Sequence, residues 1–352
     1  MEIAMRRTIA AILAMMVLVV SPLVGSAHSP LGTGENITLA AAFKIPDPAK
    51  SWAIYSNLDE EHFARYYVFD IDEGERIYVN LIISSGSRNA GFLPRFALIG
   101  PNLTNENIAL LPSWVERLPG VGNGIIVIDS ELPSHGTYEP FSPSGYYEIG
   151  ELDIDAPASG EYYVVVFDEA EIGGNFALAV GYLEEFTVEE WIFLPFALIS
   201  VYEWSGMSVF FVLAPIVIVL VAGIALLYWR YRNDKTPKTP VQWVIGLAGI
   251  FALSWGASMV FQMLSALTYT MVGSEIVITI GFAAISVLIG VYMLKIALRD
   301  EMKISVWSGI LLIVFGGLMI AFLSGFLVGP IMAIVSGITS FIGRKEKAQK
   351  AG

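Results

Sequence analysis

Three histidines are the residues with the clearest potential for metal chemistry. His28, His62 and His135 all precede residue 205, and the chain contains no cysteine. If a leader is cleaved after Ala27, His28 offers a free amine and an imidazole from one residue. A second histidine would complete a nitrogen ligand set of the kind that Cu(II) prefers. The pattern therefore predicts a copper site at His28 with His62 or His135; the alternative is that both are polar surface residues.

Paired carboxylates offer a second kind of cation site. Asp70 and Asp72 alternate along a predicted strand, as do Asp153 and Asp155, so each pair lies on one face. Calcium binds several carboxylate and carbonyl oxygens. None of these clusters has the spacing of a recognised calcium loop, so each pair is a candidate calcium site or a solvated rim.

The familiar hydrolase and nucleotide-binding motifs are missing from the sequence. The chain has no GxSxG, HExxH or Walker pattern, and around Ser144 the two elbow glycines are replaced by Ser142 and Tyr146. We therefore expect a non-enzymatic protein more than an enzyme, although a triad assembled from distant parts of the sequence is the alternative.

Asn36 and Asn102 begin two N-x-T sequons and are candidate glycosylation sites.

The N-terminal segment has the features of a secretory leader. Arg6 and Arg7 precede a short apolar run, and Gly25 and Ala27 are small residues placed for cleavage. We predict a signal peptide over 1–27, the alternative being an uncleaved anchor helix.

Residues 28–205 hold 27 of the 33 acidic residues and seven basic ones, a formal charge of −20. This charge excludes nucleic acid as a partner and suits an exterior domain.

Alternation of period two dominates the exported half. The segments 63–71, 76–83, 94–100, 124–129, 161–168 and 175–182 alternate and are bounded by Gly, Pro, Asp and Asn. Such spacing predicts an antiparallel β-sandwich over 28–183 with no long helix, although SWVERL at 113–118 could form a short one.

These strands resemble a known family of exported domains. The stretches ARYYVFDIDEGERIYVNL, ASGEYYVVVFD and GGNFALAVGY resemble the jelly-roll β-sandwich of the bacterial pre-peptidase C-terminal type, over roughly 60–182. The resemblance implies a non-catalytic accessory module. The long insertion Pro101–Pro143 departs from that compact pattern, and a specific binding role could lie there. The whole chain also resembles uncharacterised exported membrane-anchored proteins.

The second half is almost wholly apolar and predicts an all-α membrane bundle over 207–343. We expect a collar at the membrane interface over 184–206, interrupted by Pro195, with a last strand and linker as the alternative. The predicted spans are about 207–228, 241–267, 275–295, 304–323 and 326–342. The run 304–342 would be about 58 Å long as one helix, against a hydrocarbon core of about 30 Å, so we divide it near Ser324–Pro330.

Basic residues in short loops orient the predicted spans. Arg230, Arg232, Lys235 and Lys238 follow the first span, which places this loop in the cytoplasm and residues 28–205 outside. Five spans also place the basic tail 344–352 in the cytoplasm, whereas four would place it outside. We therefore predict a multi-pass protein of the cell membrane with an exterior N-terminal domain.

Few polar groups interrupt the predicted spans. Ser254, Ser258 and Gln262 recur every four residues on one face of the second span, and no ionisable residue lies deep in a span. This stripe indicates hydrogen bonding between helices.

The first functional hypothesis is a cell-surface receptor, scaffold or binding protein with a cell-envelope or membrane-protein partner. The others are a copper-binding exterior protein and a small transporter or channel.

Overall fold

The computed structural model describes residues 29–31, 34–118, 122–185, 187–299 and 305–349. The predicted signal peptide and His28 lie outside these residues, as do positions 300–304 of a predicted cytoplasmic loop. The described chain has two parts, a β-rich region followed by a helical region, and this division predicted from the sequence is confirmed.

Eleven described strands build the β-rich region. They are β1 Ser29–Leu31, β2 Phe43–Lys44, β3 Trp52–Leu58, β4 Ala64–Ile71, β5 Arg76–Ser84, β6 Arg95–Pro101, β7 Asn123–Ile128, β8 Thr137–Glu139, β9 Ser144–Asp155, β10 Gly160–Phe167 and β11 Gly174–Val180. They form a six-stranded sheet of order β1-β3-β11-β5-β9-β8 and a five-stranded sheet of order β2-β4-β10-β6-β7. All six predicted strands are present within a few residues of their expected bounds.

The core of this region lies between the two sheets. Alternate residues of β4 and β10 from one sheet, and of β5 and β11 from the other, form one buried cluster. Phe69 and Tyr162 stack within it with ring centroids 6.3 Å apart. Alternating apolar residues on facing strands place their side chains inward together, which is the packing of a β-sandwich.

The described chain also has seven α-helices. They are the short α1 Ser85–Asn89, then α2 Val188–Trp204, α3 Val209–Arg232, α4 Pro240–Ala266, α5 Ile276–Ala297, α6 Val306–Ala321 and α7 Val328–Gln349. SWVERL forms no helix, and α1 lies elsewhere, directly after β5. Helix α7 also carries the backbone of the predicted tail as far as Gln349, so that part of the tail is not a separate extended segment.

Three of these helices are long and apolar enough to cross a membrane, namely α3, α4 and α5. The predicted break of the run 304–342 is present, because α6 ends at Ala321 and α7 begins at Val328. Helix α6 has 16 residues and is about 24 Å long at 1.5 Å per residue, shorter than a hydrocarbon core. The structure therefore supports three candidate spans, and the predicted count of five stays a prediction.

Small residues let α4 and α5 approach closely. A Cβ atom on Gly249 or on Gly290 would collide with the backbone carbonyl oxygen of the other residue. Glycine at these two positions brings the helix backbones into direct contact, which is a common way for apolar helices to gain packing contacts. Helix α4 therefore has the largest share of buried residues among the three candidate spans.

Helix α2 lies against the outer face of the six-stranded sheet. Thr187 and Glu190 cap its first turn reciprocally. Lys50 pairs with Glu190, with its Nζ atom 2.7 and 2.9 Å from the two carboxylate oxygens. At the other end, the Trp204 indole donates to the Phe176 carbonyl oxygen over 2.9 Å.

This helix corrects the predicted break at Pro195, while the interfacial position of residues 184–206 stays a prediction. Its backbone stays helical through position 195, so Pro195 does not break it, and the alternative of a last strand with a linker is wrong. Helix propensity lost at one proline is outweighed here by a capped first turn and by packing on the sheet.

Candidate functional site at the sandwich–helix junction

A short segment of the β-sandwich inserts among the helices. Strand β8 pairs with β9 from Thr137 to Glu139, and Pro140 then ends the strand. We call residues 138–141 the plug. The Thr279 hydroxyl on α5 donates to the Pro140 carbonyl oxygen over 2.7 Å, so it accepts from the Tyr138 hydroxyl, also at 2.7 Å. Both bonds are buried and link residues about 140 positions apart.

Apolar contacts hold the plug on both sides of these hydrogen bonds. Tyr138 is buried against Met263 and Ala266 of α4. Phe141 meets Phe282 of α5 edge to face, with ring centroids 5.8 Å apart. Aromatic pairs of this geometry stabilise a contact beyond the burial of their area. The plug therefore joins the sandwich to two of the three candidate spans.

The loop after α4 contacts the same edge of the sheet. The Gly136 amide donates to the Tyr269 carbonyl oxygen over 3.1 Å. A Cβ atom on Gly145 of β9 would overlap the side chains of Thr270 and Tyr269. Two glycines in this edge thus allow the loop to lie directly on the strand backbone.

Glu139 is the plug residue with the most unusual electrostatics. Its Oε1 atom accepts from the Phe141 amide over 3.0 Å. Three nearby tyrosines have raised pKa values, first because they are buried and then because the negative charge of Glu139 lies close to them. They are Tyr55, Tyr146 and Tyr202. Burial raises the pKa of Glu139 to about 7, and the negative charge of Glu184 adds to the shift. The junction therefore contains a carboxyl group that titrates near neutral pH.

A cavity of about 30 Å³ lies beside the plug, between α2, α3 and α4. Gln262 lines it and is 1% exposed, and neither its amide nitrogen nor its amide oxygen has a hydrogen-bond partner among the described residues. The indole nitrogen of Trp255, another lining residue, is also buried without a partner in the described chain. The remaining lining is mostly apolar: Phe141, Pro143, Leu198, Ile199, Tyr202, Val212, Leu213, Ile216, Ser258, Met259 and Phe326.

The predicted polar stripe of α4 therefore divides into two parts. Ser258 and Gln262 face the cavity. Ser254 is fully buried and donates to the Phe251 carbonyl oxygen of its own helix over 2.8 Å. The described residues thus provide no hydrogen bond to another helix from Ser254 or Gln262, and the predicted interhelical bonding stays a prediction.

The described histidines do not converge on a metal site. His62 lies in the turn between β3 and β4, with Nδ1 3.2 Å from a carboxylate oxygen of Asp59. His135 is exposed in the loop before β8. Among the described residues no three His, Asp or Glu side chains form a group that could hold a metal ion. A copper site that includes His28 lies outside the described residues and stays a prediction.

One carboxylate of each predicted pair binds a basic side chain. Asp70 pairs with Lys44 at 2.8 Å, and Arg76 binds both oxygens of Asp153 at 2.8 Å. Asp72 and Asp155 are exposed. Within the described chain, neither pair belongs to a group of three potential ligands, so calcium at these positions gains no support.

The two sequons have different environments. Asn36 is 1% exposed, and its amide nitrogen donates to the Tyr66 carbonyl oxygen over 3.0 Å. A glycan needs that nitrogen in solvent, so this fold does not accommodate one at Asn36. Asn102 is exposed in a left-handed turn after β6, and glycosylation there stays a prediction.

Sequence reasoning did not identify Glu139, Thr279 or Trp255 as site residues. Glu139 sits in the insertion Pro101–Pro143, to which we assigned a binding role without naming residues. The sequence does hold one signal for it: in the segment Tyr138 to Phe141, an acidic residue is the only charged group among two aromatic residues and a proline.

Comparison with known proteins adds little to this geometry. No protein-family model and no curated protein matches the chain. One similar solved structure is described as CorA, a surface-associated copper-binding protein important in copper acquisition by Methylomicrobium album BG8. It is 14% identical and covers 45% of this chain and 99% of its own length, with a TM-score of 0.19. A likeness this low carries no argument about copper or function in this chain.

Proposed function

We propose that this chain is a multi-pass protein of the cell membrane whose acidic, jelly-roll-like sandwich lies outside the cell. The sandwich acts as a non-enzymatic receptor, scaffold or binding module, and α3 to α7 form a five-span bundle below it. The expected resemblance to accessory domains of the pre-peptidase C-terminal type is part of this proposal.

The hydrogen-bonded junction is the observation that carries the proposal. A domain that is merely anchored needs only a linker, whereas Tyr138 and Pro140 bind Thr279 through two buried hydrogen bonds. Each of these buried hydrogen bonds stabilises the docked plug by roughly 1 kcal/mol, and removing one partner would leave the other group buried and unsatisfied. A displacement of the plug caused by binding on the sandwich would therefore be transmitted to α4 and α5. A receptor needs such a connection.

The insertion Pro101–Pro143 is the proposed binding surface. It carries the plug at one end and exposes Trp114 and Leu132, with 45% and 44% of their surface accessible. Exposed tryptophan is enriched among the residues that dominate protein–protein contacts. The formal charge of −20 over residues 28–205 favours a partner with a basic surface through electrostatic steering.

Photo-crosslinking in the native cells tests the proposal. A photoreactive residue replaces Trp114 or Leu132 in the full chain, and Glu161, exposed on β10, is the matched control position. We expect one discrete adduct with the same protein from both insertion positions and none from position 161. Adducts that are absent, or equal at all three positions, would contradict a binding role for the insertion.

A further inference from the structure

The cavity beside the plug contains more hydrogen-bonding capacity than the described chain uses. Gln262 offers two N–H donors and one acceptor, and Trp255 offers one N–H donor. All of these groups are buried without a described partner. Leaving a buried polar group unpaired is costly, and a native structure usually has a reason for it. Ser286 on α5 is also buried and unpaired in the described chain, but it does not line the cavity.

The size of the cavity limits what can enter. A volume of about 30 Å³ accommodates roughly two water-sized groups. A hydroxymethyl group has this size, whereas a sugar or a phosphocholine headgroup is too large. The polar part of an occupant must therefore be very small.

The chemistry of the lining restricts the occupant further. None of the lining residues is charged, so a phosphate, a carboxylate or an ammonium group would enter without a counter-charge. The Gln262 amide pairs best with a neutral group that both donates and accepts a hydrogen bond, and a hydroxyl does both. Leu198, Val212 and Ile216 provide an apolar surface for the carbon chain behind such a group.

The surroundings of α3 indicate where the occupant comes from. Val212 and Ile216 of this helix line the cavity, yet only 11% of the most apolar stretch of α3 is buried in the fold. Phe211 and Val217, their neighbours in sequence, are 65% and 51% exposed. This step rests on the proposed membrane insertion of α3: in the proposed bundle the open face of this helix borders the lipid phase, so a molecule dissolved in lipid approaches the cavity from that side.

We infer that the cavity is a binding site for the hydroxyl end of a neutral long-chain lipid alcohol. The hydroxyl group donates to the Gln262 amide oxygen and accepts from an N–H of Gln262 or Trp255. The alkyl chain leaves along α3 into the lipid. This site does not depend on the proposed partner of the sandwich.

Photolabelling of the full chain in phosphatidylcholine nanodiscs tests this inference. The probe is hexadecanol that carries a diazirine near its hydroxyl, and adducts are located by mass spectrometry. Unlabelled hexadecanol, hexadecyl methyl ether, hexadecane and butanol are the competitors. We expect labelling of 198–202 or 255–262 that hexadecanol removes at concentrations about tenfold below those of the ether and the alkane. Butanol distinguishes a lipid ligand from a free small alcohol, because it lacks the long chain.

Two variants examine the same hydrogen bonds. Gln262→Leu removes the amide and keeps the approximate size of the side chain. Trp255→Phe removes the indole N–H and one of the two rings, and keeps an aromatic side chain. Each should weaken competition by hexadecanol about tenfold, equivalent to ~1.4 kcal/mol, whereas Ser286→Ala should not change it. Equal competition by hexadecane and hexadecanol, or no labelling of the cavity residues in the unaltered chain, would overturn the inference. This decision uses the unaltered chain, so it does not require the variants to fold.

Discussion

Glu139 provides the most direct test of the junction, through the variant Glu139→Gln. Burial raises the pKa of this carboxyl group from its ordinary value of 4.5 to about 7 in the folded chain. Below pH 4.5 the group is protonated in both the folded and the unfolded state and does not affect the free energy of unfolding. Between pH 4.5 and 7 the unfolded chain loses this proton first, so the stability of the folded state falls as the pH rises.

The size of the effect follows from the shift. Raising the pKa from 4.5 to about 7, at 1.36 kcal/mol for each tenfold change in proton affinity, gives an upper bound of about 3.4 kcal/mol above pH 7. The side chain is partly accessible to solvent, which reduces this value. Glutamine keeps an oxygen that can accept from the Phe141 amide and carries no charge at any pH. The variant should therefore become more stable than the unaltered chain as the pH rises.

Thermal unfolding of the full chain in detergent, measured from pH 4.5 to pH 8, checks the sign and the size. We expect the midpoints of the two proteins to agree at pH 4.5 and to separate by about 5 °C by pH 8. Glu151→Gln is the matched control, since Glu151 is an exposed glutamate on β9, and its curve should follow the unaltered chain. Parallel curves for Glu139→Gln and the unaltered chain at every pH would refute a perturbed carboxyl group in the plug.

Three further predictions concern packing and topology. Lys50→Ala should lower the free energy of unfolding by about 1 kcal/mol, because the pair with Glu190 is partly buried, whereas Lys44→Ala removes an exposed pair and should have no measurable effect in the same denaturation assay. Gly145→Ala forces a methyl group into Thr270 and should cost ~1 to 3 kcal/mol by thermal unfolding; Gly34→Ala, where the methyl group meets open space, is the control, and equal losses would contradict the close approach. The chain lacks cysteine, so single cysteines at Asn233 and Ser274 should react with membrane-impermeant maleimides from opposite sides of the membrane, from the cytoplasm at 233 and from outside at 274. Labelling of both from the same side would contradict the proposed orientation.

The sheets were largely predictable because their signal is local. In β4 and β10, alternating residues such as Phe69 and Tyr162 are apolar over a full strand, and the bounding glycines and aspartates mark where each strand ends. The apolar helices were predictable for a similar reason, since length and composition alone distinguish α3, α4 and α5.

The junction was not predictable from local patterns. Tyr138 meets Thr279 across 141 positions, and the charge of Glu139 acts on tyrosines from three other elements, Tyr55 of β3, Tyr146 of β9 and Tyr202 of α2. Local patterns carry no record of such distant contacts. Pro195 failed as a helix breaker because its cost is smaller than the packing and capping that stabilise α2. Asn36 failed as a sequon for the opposite reason, because a short motif does not report burial.

The attachment of the sandwich has a mechanical consequence. Lys50 of the sandwich pairs with Glu190 of α2, the Phe176 carbonyl oxygen accepts from Trp204 at the other end of α2, and the plug binds Thr279 of α5. These contacts join the sandwich to two separate helices, so a rotation of the sandwich against either helix would break at least one of them.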